Sequence, residues 1–142
     1  MSVDRTRLPI PGADRPFHFP RIVKRTLANG LELRAVRHSA VPIVSMVLLV
    51  PGGSSVDPDD RHGLVSMTAG LLDEGSKGQS ALEIADRLLR TGADLDIEAG
   101  MDAVVLSLTT LDRFFDDGLR LLQEMVIEPN LANVQFSRPG II

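Results

Sequence analysis

Residues 92–109 read GADLDIEAGMDAVVLSLT, and this stretch decides the fold. Ala93, Leu95, Ile97 and Ala99 alternate with Asp94, Asp96 and Glu98, a period of two that gives a half-buried strand with one apolar and one acidic face. Gly100-Met101-Asp102 turns the chain, and Ala103 to Thr109 supplies the partner strand. A β-hairpin therefore sits in the second half of the chain, and what flanks it is helical.

Before the hairpin, Ser80-Ala81-Leu82-Glu83 has the form of a capping box, Leu82, Ala85, Leu88 and Leu89 form an apolar stripe, and Gly92 provides a stop. After it, Leu111, Phe114, Phe115, Leu122, Met125 and Val126 fall at helical spacing before Pro129 ends the segment. Further upstream, Pro42 to Val50 is apolar at nearly every position, which predicts a central strand covered on both faces. It closes at Pro51-Gly52-Gly53. Asp57-Pro58-Asp59-Asp60 then offers an N-cap, a proline and first-turn acids, predicting a helix that runs to about Asp73.

Two short strands, Ile22 to Leu27 and Leu31 to Val36, flank Asn29-Gly30, a pair that takes positive φ at little cost. Residues 1–20 carry four prolines and no periodicity, and read as an extended N-terminal arm. The expected order is β-β-β-α-α-β-β-α. This is an α+β chain with a mixed or mainly antiparallel sheet and helices packed on it.

Composition narrows the function. A chain of 142 residues can bury roughly 70% of the surface its unfolded form exposes, enough for a real core. With 44% hydrophobic and 24% charged residues it falls in the globular range. A net charge of −4 and only five aromatics, all Phe, supply neither a basic footprint nor a stacking platform, which excludes nucleic acid as a partner. Zero cysteines exclude disulfides, thiolate metal sites and cysteine nucleophiles. Met1 to Arg7 has no apolar h-region and no stretch approaches a membrane span, so the chain as written is expected in the cytoplasm, with export of a fuller ancestor left open.

Leu27-Ala28-Asn29-Gly30-Leu31, Val44-Ser45 leading to Gly52-Gly53, Gly63-Leu64, and Gly92-Ala93-Asp94-Leu95 resemble, in order and spacing, successive landmarks of the amino-terminal domain of the pitrilysin (insulinase, mitochondrial processing peptidase) family of zinc metallopeptidases. The resemblance covers about residues 21–131 and leaves 132–142 as a non-family tail, so the chain reads as an incomplete metallopeptidase half-domain. Active members carry His-x-x-Glu-His on the first helix, the two His binding zinc and the Glu serving as general base. Aligned from Gly63-Leu64, the motif is replaced by Ser66, Met67, Thr68, Ala69 and Gly70, with Ser66 and Gly70 at the ligand positions and Ala69 at the base. The family's third ligand, a Glu, projects past Ile142, and truncation or a change of reading frame would account for both that and the tail.

The chemistry follows from those residue types. A catalytic zinc needs three protein ligands and a water, and positions i and i+4 of a helix bring two of them onto one face. A hydroxyl at 66, no side chain at 70 and a methyl at 69 offer neither metal binding nor proton transfer, so no zinc or other cofactor is expected. The resulting small-residue face is Ser66, Ala69, Gly70 and Asp73, with Leu64, Met67, Thr68, Leu71 and Leu72 expected as core.

Other candidates have plainer readings. His18, His38 and His62 lie 20 and 24 residues apart and read as surface histidines rather than a metal set. The carboxylates Asp73-Glu74 and Asp57, Asp59 and Asp60 read as helix-end and helix-start groups rather than acid/base pairs. Ser66 has no placeable base and reads as a small contact residue. Gly52-Gly53-Ser54-Ser55 lacks the Lys and spacing of a phosphate loop and reads as a strand-to-helix turn.

The resemblance implies a catalytically inactive protein, a non-catalytic partner or fragment of a heteromeric metallopeptidase acting on peptides, paired with a catalytic pitrilysin-type subunit. The alternatives are a standalone peptide-binding or structural module and a residual zinc metalloendopeptidase. In active halves, peptide adds to the edge strand after the second helix, which corresponds to Asp96-Ile97-Glu98-Ala99. An acidic, solvated face protecting a strand edge is the competing reading of the same residues. Exposed apolar surface is expected on the isolated chain, because the family domain continues with elements that would cover part of the sheet.

Overall fold

The computed structural model describes residues 12, 13, 16, 18–38 and 40–131, so most of the N-terminal arm and the tail 132–142 lie outside the described residues. The described residues fall into two compact units, divided between Val41 and Pro42.

In the first unit, β1 (Ile22–Thr26) pairs antiparallel with β2 (Glu32–Val36), Lys24 standing opposite Arg34. Gly30 makes the turn possible: it sits at φ +87° and donates to the Leu27 carbonyl at 2.9 Å, while the Asn29 side chain accepts from the Leu31 N–H at 3.1 Å. The Asn-Gly pair acts as its sequence predicts.

The second unit is built on β3 (Ile43–Pro51), β6 (Asp94–Ala99) and β7 (Ala103–Leu111), in the order β3-β7-β6 with both pairings antiparallel. The 94–110 hairpin is therefore present, and its second strand is the interior one. Alternate residues of β7 are buried, with Leu106 at 1% and Leu108 at 0% exposure. The strand expected at the centre, β3, stands instead at the edge of this sheet, and one of its faces is open, with Val47 65% exposed. An unbroken apolar run says that a strand is hydrophobic on both sides. It does not say that a second layer is there to cover it.

The first helix, α1 (Leu64–Ala69), is much shorter than the expected 57–73. Gly63 at φ +89° explains the late start, because a right-handed helix cannot run through a left-handed residue. Asp57 still caps the helix, but from outside it: its carboxylate accepts from Gly63 N–H at 2.6 Å and Val65 N–H at 2.9 Å. The acids and proline at 57–60 form the turn that carries Asp57 to that position.

Two tiny strands, β4 (Gly75–Ser76) and β5 (Gln79–Ser80), follow, a hairpin the sequence does not advertise. Its turn places both Lys77 (φ +49°) and Gly78 (φ +78°) in the left-handed region, the pattern of a type I′ turn, with Lys where Asn or Gly is usual.

Helix α2 (Ala81–Thr91) begins and ends as read, with the reciprocal Ser80–Glu83 box at its start and Gly92 at φ +60° at its end. Its buried face differs from the expected stripe. Ile84 is fully buried and Leu88 partly so, while Leu82 and Leu89 are 79% and 80% exposed. Helix α3 (Phe115–Ile127) starts after a 3-10 turn at Asp112–Phe114 and buries Gly118, Leu121, Leu122, Glu124 and Met125. Leu111 belongs to β7 and Phe114 to the 3-10 turn, so the first apolar residues assigned to this helix sit at its approach, and Phe115, which opens it, is partly exposed. Gly118 permits the closest contact with the sheet: a Cβ there would come within 2.7 Å of Leu108 Cδ2.

The core gathers Ala69, Ile84, Leu121, Leu122 and Met125 from the helices over Val104, Leu106 and Leu108 of β7. One charged group enters it. Glu124, 9% exposed, accepts from Arg87 of α2 at 2.6 Å, and the same guanidinium nitrogen donates to Gln79 Oε1 at 2.8 Å. This pair ties α2, α3 and the small hairpin together. Replacing Arg87 by Met leaves a nearly buried carboxylate with only the more distant Lys77 ammonium at 4.0 Å, and should cost about 2–3 kcal/mol, less than a fully buried pair because Arg87 is partly exposed. The double change Arg87→Met with Glu124→Leu should recover most of that loss in urea unfolding. Equal midpoints for the single and double variants would show that the pair is not the tie.

Candidate functional site

Helix α1 carries the positions where a metal motif is expected. Ser66 and Gly70 lie one turn apart, joined by the bond from Gly70 N–H to Ser66 C=O at 3.0 Å, and both are exposed. Ala69 is turned inward and only 4% exposed, so the three do not share one open face. The helix also faces the core differently from the sequence reading. Leu64 and Met67 are 43% and 40% exposed and Thr68 is exposed, its hydroxyl donating to Leu64 C=O at 2.8 Å, while Val65, Ala69, Leu71 and Leu72 turn inward.

One hydroxyl, one methyl and one absent side chain do not fit a zinc ion. Among the described residues no group of three or more His, Cys, Asp or Glu side chains could hold a metal. His18, His38 and His62 belong to no such group.

The carboxylates have local explanations. Asp57 is the cap of α1, and Asp60 pairs with Arg61 at 3.7 Å. Burial pushes the Asp73 carboxyl above its ordinary range; a hydrogen bond from its own backbone opposes this, and the neighbouring Glu74 charge adds to the rise. In Glu83 the shift is downward, caused first by the Ser80 backbone N–H and then by the Ser80 hydroxyl.

The Gly52–Ser55 loop is closed to anions. Gly52, Ser54 and Ser55 donate their N–H groups to the carbonyls of Asp102, Gly100 and Met101 at 2.9, 3.0 and 2.9 Å. A Cβ on Gly53 would collide with the backbone of Gly100 and Met101. This turn docks on the β6–β7 connection.

The strand β6 is paired with β7 along one side and has no strand on its other side among the described residues. Asp94, Asp96 and Glu98 are exposed on one face, while Leu95, Ile97 and Ala99 pack toward the core. Sequence reasoning missed Arg87 and Glu124; the signal was a Glu between Leu121, Leu122 and Met125 on the apolar side of α3.

No family model matches the chain. A curated relative, the non-peptidase homolog YmxG of Helicobacter pylori, is 26% identical over 115 residues, covering 74% of this chain and 27% of that protein. A solved peptidase M16 inactive domain from Pseudomonas fluorescens superposes with a TM-score of 0.78 at 27% identity, over 83% of this chain and 29% of that one. A Helicobacter pylori protease (TM-score 0.76, 22% identity, 84% of this chain and 29% of that one) and pitrilysin (0.73, 21%, 81% and 12%) share the fold. The chain thus spans under a third of the length of these relatives. Its resemblance to the pitrilysin-type, or peptidase M16, proteins holds in sequence and in fold, and the relatives nearest 27% identity carry the names inactive and non-peptidase. No helix among the described residues is long and apolar enough to cross a membrane.

Two outcomes test this local chemistry. Gly53→Ala should lower stability by about 2–3 kcal/mol in urea unfolding, because the obstacle is backbone and cannot swing away. Asp73→Asn should raise it at about pH 7 by no more than about 1 kcal/mol, the limit for a partly exposed group. A raised folded pKa contributes stability below the unfolded value and loses it as pH rises through the folded one, so the advantage of Asn should vanish near pH 3.

Proposed function

We propose that this chain is part of a catalytically inactive pitrilysin-type protein that serves as the non-catalytic partner of a zinc peptidase acting on peptides. The observation that carries the reading is α1: the helix of the family is present, with Ser66, Ala69 and Gly70 where the resemblance places two ligands and a base. Its similarity to an M16 inactive domain and to a non-peptidase homolog supports the same direction. In this role α1 contributes packing through Ala69 and Val65, and the open edge of β6 at Asp96–Ala99 holds extended peptide. Main-chain pairing supplies the attraction, as in other cases of strand addition.

A standalone peptide-binding module is the second reading, and the free edge of β6 favours it equally. Residual metallopeptidase activity is the third, and it requires zinc.

The experiment uses the whole protein that carries this chain, co-expressed with a pitrilysin-type subunit retaining His-x-x-Glu-His. Co-purification, with peptide cleavage by the mixture but not by this protein alone, is the expected result. Failure to associate, with peptide binding retained, would favour the standalone module. Metal analysis of the purified protein should find no stoichiometric zinc; chelator-sensitive cleavage by this protein alone would sink the non-catalytic reading.

A further inference from the structure

Several acids of the chain pair with a cation or cap a helix. Glu32, Asp60, Asp86 and Glu124 each pair with a cation, and Asp57 and Glu83 cap helices. Asp94, Asp96 and Glu98 form none of the ion pairs found among the described residues. Nor can the sheet supply a cation on that face. Across β7 they stand opposite Thr109, Ser107 and Val105, and the next strand places Ser45, Val47 and Leu49 in the same rows. Ser45 and Thr109 satisfy each other at 3.0 Å.

Residues two apart on a strand are separated by roughly 6.8 Å, so the three carboxylates form a column of like charge along an unpaired edge. Neighbouring carboxylates in this column repel one another. Among the described residues the charge lacks a partner, and the main chain lacks one at the same place.

We propose that this edge selects extended peptides carrying Lys or Arg at alternate positions. The inference rests on the strand-addition reading above and adds the substrate class to it. A strand added to β6 sets every second side chain beside Asp94, Asp96 and Glu98, with Cβ atoms about 4.5–5.5 Å apart. Its remaining side chains fall on the other face, beside Leu95, Ile97 and Ala99, where apolar groups fit. Each cross-strand pair of opposite charge contributes roughly 0.2–1 kcal/mol, so three of them amount to about a 3- to 150-fold preference over a neutral peptide.

The test is fluorescence anisotropy on the whole protein, with labelled peptides that alternate Val with Lys, Gln or Glu, and a Lys peptide N-methylated at alternate backbone nitrogens. Lys should bind tightest and Glu weakest, the preference should shrink at about 1 M salt, and N-methylation should abolish binding. Asp94→Asn/Asp96→Asn/Glu98→Gln, all at exposed positions, should bring the three peptides together while Asp60→Asn leaves their order intact. Circular dichroism checks that the triple variant is folded. Equal binding of the Gln and Lys peptides, with loss on N-methylation, would overturn the charge preference and leave strand addition standing. Lys binding that survives N-methylation overturns both. No binding by any peptide also overturns both, whether the edge is covered by another part of the protein or is simply protected by its charge.

Discussion

The position of β7 between β3 and β6 is the constraint on which the second unit depends. It is the strand with a neighbour on each side, and its buried face, centred on Leu106 and Leu108, is where the helices meet. Residues close in sequence to β6 and distant from β3 thus join both, and the register with β3 fixes which apolar side chains lie under the helices. A slip of one residue would exchange Leu106 and Leu108 for Val105 and Ser107. Gly118 and the Gly53 turn then set how closely α3 and the end of β3 approach.

The parts legible in the sequence are those encoded within a few residues. Asn29-Gly30, the Ser80–Glu83 box, Gly92 and the alternation of β6 each specify a local geometry that no distant contact overrules. The parts that were not legible depend on distance. The start of α1 is set by Asp57 reaching back over a turn to Gly63 and Val65. The face of α2 that turns inward is set by what lies across from it, and Leu82 and Leu89 look like core to a periodicity argument because hydrophobicity alone does not name a partner. The open side of β3 fails for the same reason. The expected apolar exposure is present on both elements.

At the candidate site, sequence reading located α1 and the β6 edge, but it treated Ser66, Ala69 and Gly70 as one face. The inward turn of Ala69 follows from the packing of α1 against β6, a tertiary fact. The Arg87–Glu124 pair shows the reverse case, where a charge on an apolar stripe marks a partner that spacing could not identify. Glu124 is 37 residues from Arg87, and only the packing of two helices brings them together.

Gly70 has a backbone of ordinary right-handed geometry, with φ −69° and ψ −5°, and a side chain placed there would meet its nearest neighbour at 3.5 Å. The helix therefore has no need of glycine at that point. Together with the exposed Ser66 one turn earlier, this makes α1 a vacant frame for engineering. A Cβ could be added at the second position without bending the chain, and the first already carries one.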